Sequence, residues 1–437
     1  MAGINNMTDE VENIYSDYDY GQRKPLHIKV GQLTEREQEL LIKSDTFCML
    51  PWIHLHAYPD GKAYPCCLAK YEHPIGSLKE NTMEEVWRDK PMQHMRENML
   101  ANKPCKECTK CYEQEAAGFF SMRNSSNQTF GHHIKETLAS DEFKIRYYDI
   151  RFSNLCNFSC RSCGDIFSSN WTKEYKKYGW LPKDAPNVTY AGRYKTDIWE
   201  QTLPHVPYFQ EVYFAGGEPL MMQEHWNLLD ELIKQGRTDV KLVYNTNFSE
   251  TVFKGRDVFN IWKEFDEVSI GASLDASYAR GELMRKGTKW SQIVSNRERM
   301  LKVCPDVDFY ISSTLSIMNS YHIPEFHKEW IELGLLEPMD WNINILQGPE
   351  YYRIDVLPEA MKQEVLAMYN DHIEYLEDKD RFKRAINGFK SAMNYMTSTD
   401  NSKLITELLK NLDKMDKLRE ENFFTVFPEL ERLQDYA

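Results

Sequence analysis

The stretch that decides the fold runs Arg151-Phe-Ser-Asn-Leu-Cys156-Asn-Phe-Ser-Cys160-Arg-Ser-Cys163-Gly164. It places three cysteines in a C-x3-C-x2-C spacing, directly after an alternating run at residues 144–152 that predicts a β-strand. Three thiolates on one short loop can hold three corners of a [4Fe-4S] cube, which normally takes four thiolates. A loop that offers only three leaves one iron open, and an open iron can bind a substrate or a cofactor.

The loop resembles the cluster-binding loop of radical S-adenosylmethionine (SAM) enzymes. The resemblance implies that Cys156, Cys160 and Cys163 bind a [4Fe-4S] cluster whose open iron is chelated by the amino and carboxylate groups of SAM. One electron then cleaves SAM to a 5′-deoxyadenosyl radical that abstracts hydrogen. Ser162 stands where the family commonly has an aromatic residue against the adenine, so that contact is not carried over. A zinc site is the alternative, but tetrahedral zinc needs a fourth Cys or His, and the next His downstream is His205.

A second motif follows the cysteine loop. Residues 211–215 predict a short apolar strand that ends in Gly216-Gly217-Glu218-Pro219. Glycines let the backbone approach a ligand closely, although Gly-Gly and Glu-Pro also mark ordinary turns. At this position the run resembles the GGEP motif of radical SAM enzymes, which implies that its backbone carbonyls accept hydrogen bonds from the methionine ammonium group of SAM.

Further predicted strands alternate with helical segments along the chain. These strands lie at 240–247, 267–275, 307–316 and 340–346. Together with the two strands that end near residues 152 and 215, they make six predicted strands. This alternation predicts βαβ units and a parallel sheet, hence an α/β fold. The resemblance makes it a partial (β/α)6 barrel, and barrels of this kind carry their chemistry at the carboxyl ends of the strands.

Five more residues, at or after the ends of predicted strands, are candidates for the SAM pocket. The resemblance implies that Ser273 and Asp275 bond to the SAM ribose and that Arg285 pairs with the methionine carboxylate, since a guanidinium fits a carboxylate bidentately. Thr246 and Asn247 would line the same pocket. The alternatives are an ordinary strand-end turn for Ser273 and Asp275 and a solvated surface side chain for Arg285.

The second informative group of cysteines lies upstream. Cys48 and Cys66 bracket Gly61 in a C-x12-G-x4-C spacing, and a C-x2-C-x2-C run follows at residues 105–111. Asp60-Gly61 is a hairpin signal between apolar stretches. The pattern resembles the SPASM/twitch modules that hold auxiliary iron–sulfur clusters in radical SAM enzymes, although here the module precedes the barrel and does not follow it.

Six upstream cysteines exceed the four needed for one cluster and fall short of eight for two, which favours one auxiliary [4Fe-4S] cluster. The resemblance implies the ligands Cys48, Cys66, Cys108 and Cys111, with Cys105 as the substitute and Cys67 as a bystander. A zinc knuckle is the alternative reading of this segment, because C-x2-C pairs are ordinary zinc ligands.

Three other residues have weaker signals. His54 and His56 share one face of a predicted strand, where they serve as metal ligands, as acid–base groups or as structural histidines. Cys304, before a proline, is expected to be a buried structural thiol.

The composition restricts the classes of function and location. The chain has 437 residues, a formal net charge of −14 and a pI of about 5.4, which argue against nonspecific binding to nucleic acid. No signal peptide or apolar run of membrane-spanning length is expected, so the cytoplasm is predicted, with no membrane partner. In that compartment ten cysteines indicate metal binding or catalysis more than disulfides.

The sequence predicts five segments. They are a polar leader at 1–45, the SPASM/twitch-like α+β module at 46–118, a linker at 119–143, the barrel at 144–348 and a helical C-terminal region at 349–437.

The predicted function is that of a radical SAM enzyme with an unidentified substrate, a peptide or protein being slightly favoured. The resemblance also implies an electron donor such as flavodoxin or ferredoxin. A dehydrogenase or epimerase that acts on a small molecule, such as a sugar or nucleotide, is the alternative enzyme. A metal-stabilised binding scaffold is the alternative outside catalysis.

Overall fold

The structure is a computed structural model that describes residues 30–116 and 120–437. Most of the predicted polar leader therefore lies outside the described residues. The strands are β1 His56–Ala57, β2 Lys62–Tyr64, β3 Gly76–Ser77, β4 Tyr147–Ile150, β5 Ser159–Cys160, β6 Glu211–Phe214, β7 Lys241–Thr246, β8 Val252–Phe253, β9 Arg256–Asp257, β10 Val268–Ala272, β11 Arg285–Lys286, β12 Asp308–Leu315 and β13 Trp341–Ile345.

Helices lie between and after these strands. They are α1 Glu35–Gln38, α2 Leu50–Ile53, α3 Met83–Arg88, α4 Lys90–Leu100, α5 Thr109–Ala116, α6 Met122–Phe130, α7 Ile134–Ala139, α8 Ser169–Lys177, α9 Asp197–Thr202, α10 Gln223–Lys234, α11 Val258–Trp262, α12 Tyr278–Met284, α13 Trp290–Val303, α14 Ile323–Glu332, α15 Glu359–Leu376, α16 Arg384–Ser398, α17 Ile405–Arg419 and α18 Phe423–Val426. No helix in the described ranges combines the length and the apolar composition needed to cross a membrane.

The chain divides into two compact units. Unit 1 comprises the residues up to Ala57 together with Gly61–Ile150 and Gly192–Phe209. Its strands lie in the order β4-β1-β2-β3, with β1 parallel to β4 and antiparallel to β2. The predicted hairpin is therefore present, and Gly61 adopts a φ of 89°, a conformation that glycine tolerates best.

Unit 2 comprises Tyr58–Asp60, Arg151–Ala191 and Gln210–Ala437. It contains a sheet in the order β13-β12-β10-β7-β6, in which each pair of neighbours is parallel. Consecutive residues of β7 and β10 are buried, as expected for parallel strands covered on both faces. This alignment brings the carboxyl ends of the strands, with the residues that follow them, to one edge of the sheet.

Helices cover the sheet of unit 2 through large apolar side chains. On α10, Trp226 and Leu229 are fully buried at helical spacing. On α14, the ring of Phe326 packs edge-on against Trp341 of β13, with ring centroids 4.9 Å apart. Trp330, one turn later on α14, is also fully buried.

The predicted fold class is confirmed: an α/β protein with parallel strands, a small α+β module and a helical C-terminal region. All six predicted barrel strands are present, five of them as neighbours in the sheet of unit 2 and the sixth, β4, within unit 1. The predicted helical C-terminal region contains the long helices α15 and α17. Residues 119–143, predicted as a linker, instead contain α6 and α7, because Phe130 and Ile134 supply buried apolar contacts.

Candidate iron–sulfur centres

The three-cysteine loop lies within unit 2 and is held by a short strand pair. Cys160 belongs to β5, which pairs antiparallel with β11, so that Cys160 lies opposite Arg285. The Cys163 N–H donates to the Cys160 carbonyl at 3.0 Å, which turns the chain back after the strand. Cys156, Cys160 and Cys163 are each half-buried. The loop thus presents its three cysteines together at one partly open place.

Burial and proximity raise the pKa of these thiols. Burial raises the pKa of Cys163 to about 12, and the neighbouring Cys160 acts in the same direction. Burial also raises the pKa of Cys156, with Cys160 as the next contributor. Donors oppose this effect: the Phe158 N–H points to the Cys156 sulfur at 3.4 Å, and Arg285 Nη1 lies 3.9 Å from the Cys160 sulfur. Such donors stabilise negative charge on the sulfurs of a bound cluster.

The GGEP motif follows β6 and lies directly against the backbone of the cysteine loop. The Gly217 N–H donates to the Ser153 carbonyl at 3.4 Å, and the Glu218 N–H donates to the Leu155 carbonyl at 2.6 Å. A Cβ on Gly217 would lie 2.2 Å from the Leu155 oxygen, so no other residue fits here without a backbone shift. Gly216 has a φ of +114°. The two glycines are therefore required for this close approach.

The Glu218 side chain turns inward and holds the end of β7. Its Oε1 accepts from the Thr246 hydroxyl at 2.7 Å and from the Leu220 N–H at 3.1 Å, and its Oε2 accepts from the Asn247 N–H at 2.7 Å. Burial raises the pKa of Glu218 to about 7, although these hydrogen bonds oppose the shift. Thr246 and Asn247 are thus fixed by Glu218, and the Asn247 amide also donates to Asn157 in the cysteine loop at 2.8 Å.

The predicted SAM contacts Asp275 and Arg285 form an ion pair with each other. Arg285 donates from Nε and Nη2 to the two Asp275 oxygens at 2.7 and 2.9 Å, and the Thr314 N–H donates to the same carboxylate at 2.8 Å. The Arg285 side chain is 13% exposed and that of Asp275 1%, so Arg285 is not a solvated surface residue. Ser273 donates its N–H to the Thr246 carbonyl at 2.7 Å. The roles of these residues toward SAM stay a prediction.

The sequence reasoning missed carboxylates from the C-terminal region that reach the loop. Arg161, between Cys160 and Cys163, donates to Asp416 at 2.6 Å and to Glu421 at 2.7 Å. The position of Arg161 inside the cysteine motif indicated that its charge would need an acidic partner. Nothing in the sequence indicated which of the many acidic residues, more than 250 positions later, would supply it.

The upstream cysteines form a second centre within unit 1. Four of them line one cavity, whose other walls are mostly apolar and include Leu50, Leu68, Met95 and Met99. Those four are Cys48, Cys66, Cys108 and Cys111. Cys105 lies beside them and shares a side-chain hydrogen bond with Cys108. A cavity with four thiols and apolar walls fits a four-thiolate [4Fe-4S] cluster, and these residues would hold it.

Hydrogen-bond donors surround the sulfurs of this cavity. The Cys48 sulfur accepts from the Leu50 N–H, and the Cys66 sulfur accepts from the N–H groups of Leu68 and Ala69. The Cys111 sulfur accepts from the Arg123 N–H. Donors of this kind stabilise thiolate charge and tune the potential of a cluster.

Helix α6 fixes the segment that carries Cys48. Asn127 accepts from the Met49 N–H at 2.9 Å and donates to the Phe47 carbonyl at 2.9 Å. Arg123 donates to the carbonyls of Ser44 and Phe47 at 2.9 and 3.1 Å, and its guanidinium pairs with Glu115. The predicted linker is therefore part of the wall of the second centre.

His54 and His56 lie near this centre, on and beside β1, and are fully buried. His54 Nδ1 bonds to the Tyr147 carbonyl at 2.8 Å, and His56 Nδ1 bonds to the carbonyl and carboxylate of Asp149 at 2.9 and 3.1 Å. One ligand atom from each of His54, His56 and Asp149 lies within 4.8 Å of the other two, close enough together to hold a metal ion. Cys304, at the end of α13, is buried as expected.

A comparison with protein families identifies the upstream segment. Residues 48–112 match the family model SPASM, described as an iron-sulfur cluster-binding domain. This segment is therefore similar to SPASM domains. The match begins at Cys48, includes all six upstream cysteines and ends before α6. The prediction of an iron–sulfur module is confirmed, and α6 lies outside the matched residues.

No curated protein matches the sequence. The solved structures that are similar to the chain include the following three. "Native anSMEcpe with bound AdoMet and Cp18Cys peptide" is 14% identical, with a TM-score of 0.38 over 54% of this chain and 61% of its own. Streptococcus suis SuiB bound to precursor peptide SuiA is 15% identical, with a TM-score of 0.35 over 68% and 62% of the two chains. TYW1 with a lysine-pyruvate adduct bound is 13% identical, with a TM-score of 0.28 over 53% and 71%.

The chain therefore spans less than two thirds of the anSMEcpe and SuiB chains that it matches. At these identities and TM-scores, the assignment of the sites stands on the residues of this chain alone.

Proposed function

We propose that the protein is a radical SAM enzyme that reductively cleaves SAM and abstracts hydrogen from a substrate. The observation that carries the proposal is the three-cysteine loop, which is packed directly against the GGEP backbone and lies opposite Arg285. Three thiolates and one open iron are what SAM chelation needs. The SPASM domain supports the same function, because such modules accompany radical SAM barrels.

Each residue of the site has a role in this proposal. Cys156, Cys160 and Cys163 would hold the cluster and leave one iron for SAM. When bound, this cluster supplies the electron that cleaves SAM, and the resulting 5′-deoxyadenosyl radical abstracts hydrogen. Arg285 Nη1 would orient the methionine carboxylate, and the carbonyls at Gly216 and Gly217 would accept from its ammonium group. Glu218 keeps the Thr246–Asn247 turn in place and so shapes the pocket wall.

The SPASM domain would hold one auxiliary cluster through Cys48, Cys66, Cys108 and Cys111, which leave no open iron. A cluster in this cavity would accept the electron that remains after hydrogen abstraction, which suits a net oxidation. Its alternative role is only to anchor the lid over the substrate. An electron donor of the flavodoxin or ferredoxin type would reduce the radical cluster.

The favoured substrate is a peptide or protein, a proposal that rests on the resemblance of the SPASM module. A small molecule such as a sugar or nucleotide is the alternative. A short peptide gene beside the gene of this protein would support the first, and sugar or nucleotide genes would support the second.

Anaerobic reconstitution with iron and sulfide, followed by dithionite and SAM, tests the proposed activity. The wild type should yield 5′-deoxyadenosine and methionine, and a variant with Cys156, Cys160 and Cys163 replaced by Ala should yield neither. Cys304→Ala is the matched control, because this thiol is buried in the same unit and should leave cleavage unchanged. Iron in the loop without SAM cleavage would favour the binding scaffold, and cleavage by the triple variant would make the site assignment wrong.

A further inference from the structure

The C-terminal region contacts the three-cysteine loop through buried charges. Arg161 lies between the second and third cysteines, and its side chain is 0% exposed. It donates to Asp416 on α17 and to Glu421 just after α17, at 2.6 and 2.7 Å. A fully buried guanidinium needs such partners, because an unpaired buried charge strongly destabilises the conformation that contains it.

Glu421 and the nearby Arg419 also reach the strand pair that carries Cys160. Glu421 accepts from Lys286 of β11 at 2.7 Å. Next to it, Arg419 donates to the Ser159 carbonyl of β5 at 2.9 Å. Both strands that hold Cys160 are therefore tied to the end of α17.

Asp416 connects these contacts to the remainder of the C-terminal region. Its second oxygen accepts from the Phe423 N–H at 2.6 Å, at the start of α18. The Arg161 guanidinium lies over the Phe423 ring, 5.6 Å from its centroid. The segment 416–423 thus forms a continuous set of contacts on one side of the loop, and none of these residues is a cluster ligand.

We propose that Asp416 and Glu421 are positioning residues for the radical cluster. By fixing Arg161 and Lys286, they hold Cys160 and Cys163 in the geometry that ligates the cluster and leaves one iron open for SAM. The inference rests on the proposed function. It assigns to the C-terminal helical region, more than 250 residues from the cysteines, a direct part in the radical site.

The test compares the wild type with charge-removing and charge-keeping variants by iron content and EPR. Asp416→Asn with Glu421→Gln removes both charges and keeps the shape of the side chains. Asp413→Asn is the matched control, because it makes the same change on α17 in an exposed ion pair with Lys417. The auxiliary cluster in the same chain is the internal reference, since its cysteines belong to unit 1.

We expect the double variant to retain the radical cluster against a chelator roughly tenfold less well than the wild type, the effect of losing about one charge-assisted hydrogen bond. The SAM-induced change in the EPR signal of the reduced radical cluster should shrink as well. The auxiliary cluster and Asp413→Asn should match the wild type. Glu421→Asp, which keeps the charge, should recover part of the retention.

Wild-type retention and an unchanged SAM-induced EPR signal in the double variant would overturn the inference while the proposed function stands. A wild type that binds no cluster at the three cysteines would overturn both. If far-UV circular dichroism shows that the double variant is unfolded, Glu421→Gln alone decides by the same criteria, because Asp416 still caps Phe423.

Discussion

The guanidinium of Arg285 is engaged on one side by Asp275, which accepts two of its N–H groups. The remaining nitrogen, Nη1, lies 3.9 Å from the Cys160 sulfur. A SAM carboxylate bound at the open iron would therefore meet Nη1, with Asp275 holding the rest of the group in orientation. In that arrangement Asp275 is as important for the position of Arg285 as for any contact with the ribose.

Replacing Arg285 with Gln should weaken SAM binding and also destabilise the fold. We expect SAM affinity to fall by about 1.5–3 kcal/mol, the range for a hydrogen bond to a charged group. The free energy of unfolding should fall by about 3 kcal/mol, because Asp275 becomes a buried and unpaired carboxylate. A SAM titration followed by EPR of the reduced cluster measures the first quantity, and urea unfolding measures the second.

The double variant Arg285→Gln with Asp275→Asn separates these two effects. It removes both charges, so stability should recover while SAM affinity stays low. Unchanged SAM affinity in Arg285→Gln would show that Arg285 serves the fold and not the ligand.

The sequence predicted which residues come together at the radical site but not how their side chains pair. Cys156, Cys160 and Cys163 could be assigned because their spacing is local and their chemistry is specific. Gly217 could be assigned because it belongs to the GGEP motif, and the structure gives the reason for a glycine there, the close approach to Leu155. The pairing of Asp275 with Arg285, and of Glu218 with Thr246, depends on which strand ends become neighbours, and that is settled only by the folded sheet.

At the scale of secondary structure, α6 is the element that the sequence did not reveal. Its polar run of Asn and Ser is typical of a loop, because these side chains compete with the helical backbone for hydrogen bonds. In the structure these polar side chains form hydrogen bonds that fix the helix and its neighbours. Ser121 caps the helix, and Asn127 and Arg123 bond to the backbone around Cys48. The parallel strands were predictable, because their apolar runs are strong signals that need no partner to be recognised.

Replacing Asn127 with Ala should loosen the auxiliary centre. The change leaves the buried Met49 N–H without its acceptor, which costs about 1–3 kcal/mol, whereas the Phe47 carbonyl keeps its hydrogen bond from Arg123. We expect lower retention of auxiliary-cluster iron in the presence of a chelator, with the radical cluster unaffected. Colorimetric iron analysis and EPR at the two clusters measure this.

Asn98→Ala, on the surface of α4 in the same unit, is the control and should behave as the wild type. Equal iron retention in Asn127→Ala and the control would mean that α6 only covers the SPASM domain.

At the scale of the whole molecule, each compact unit contains its own set of cysteines. The four thiols that line the cavity belong to unit 1, and the three-cysteine loop belongs to unit 2. A cluster at one centre would therefore be bound by no cysteine of the other centre. A metal module of this kind gains folding free energy from its own metal, so the two centres should load separately.

A variant with Cys156, Cys160 and Cys163 replaced by Ala should keep the auxiliary cluster. About four irons per chain should remain, by the stoichiometry of one [4Fe-4S] cluster. Metal analysis by mass spectrometry, together with the visible absorption of the reconstituted protein, measures the content. One zinc per chain and no iron would make the SPASM segment a structural zinc knuckle and would remove the proposed electron acceptor.

Unit 1 is assembled from pieces that are distant in the chain, and its last piece, Gly192–Phe209, follows the three-cysteine loop. Tyr148, in an earlier piece, makes contacts with this last piece. Its hydroxyl bonds to Thr202 at 2.9 Å, and its ring packs on Phe209 with ring centroids 5.1 Å apart. During translation, the cysteines of the second unit leave the ribosome before the first unit has received its final segment. The core of unit 1 is therefore complete only after the three-cysteine loop has been synthesised. A fragment that stops at Ile150 would lack part of its own core.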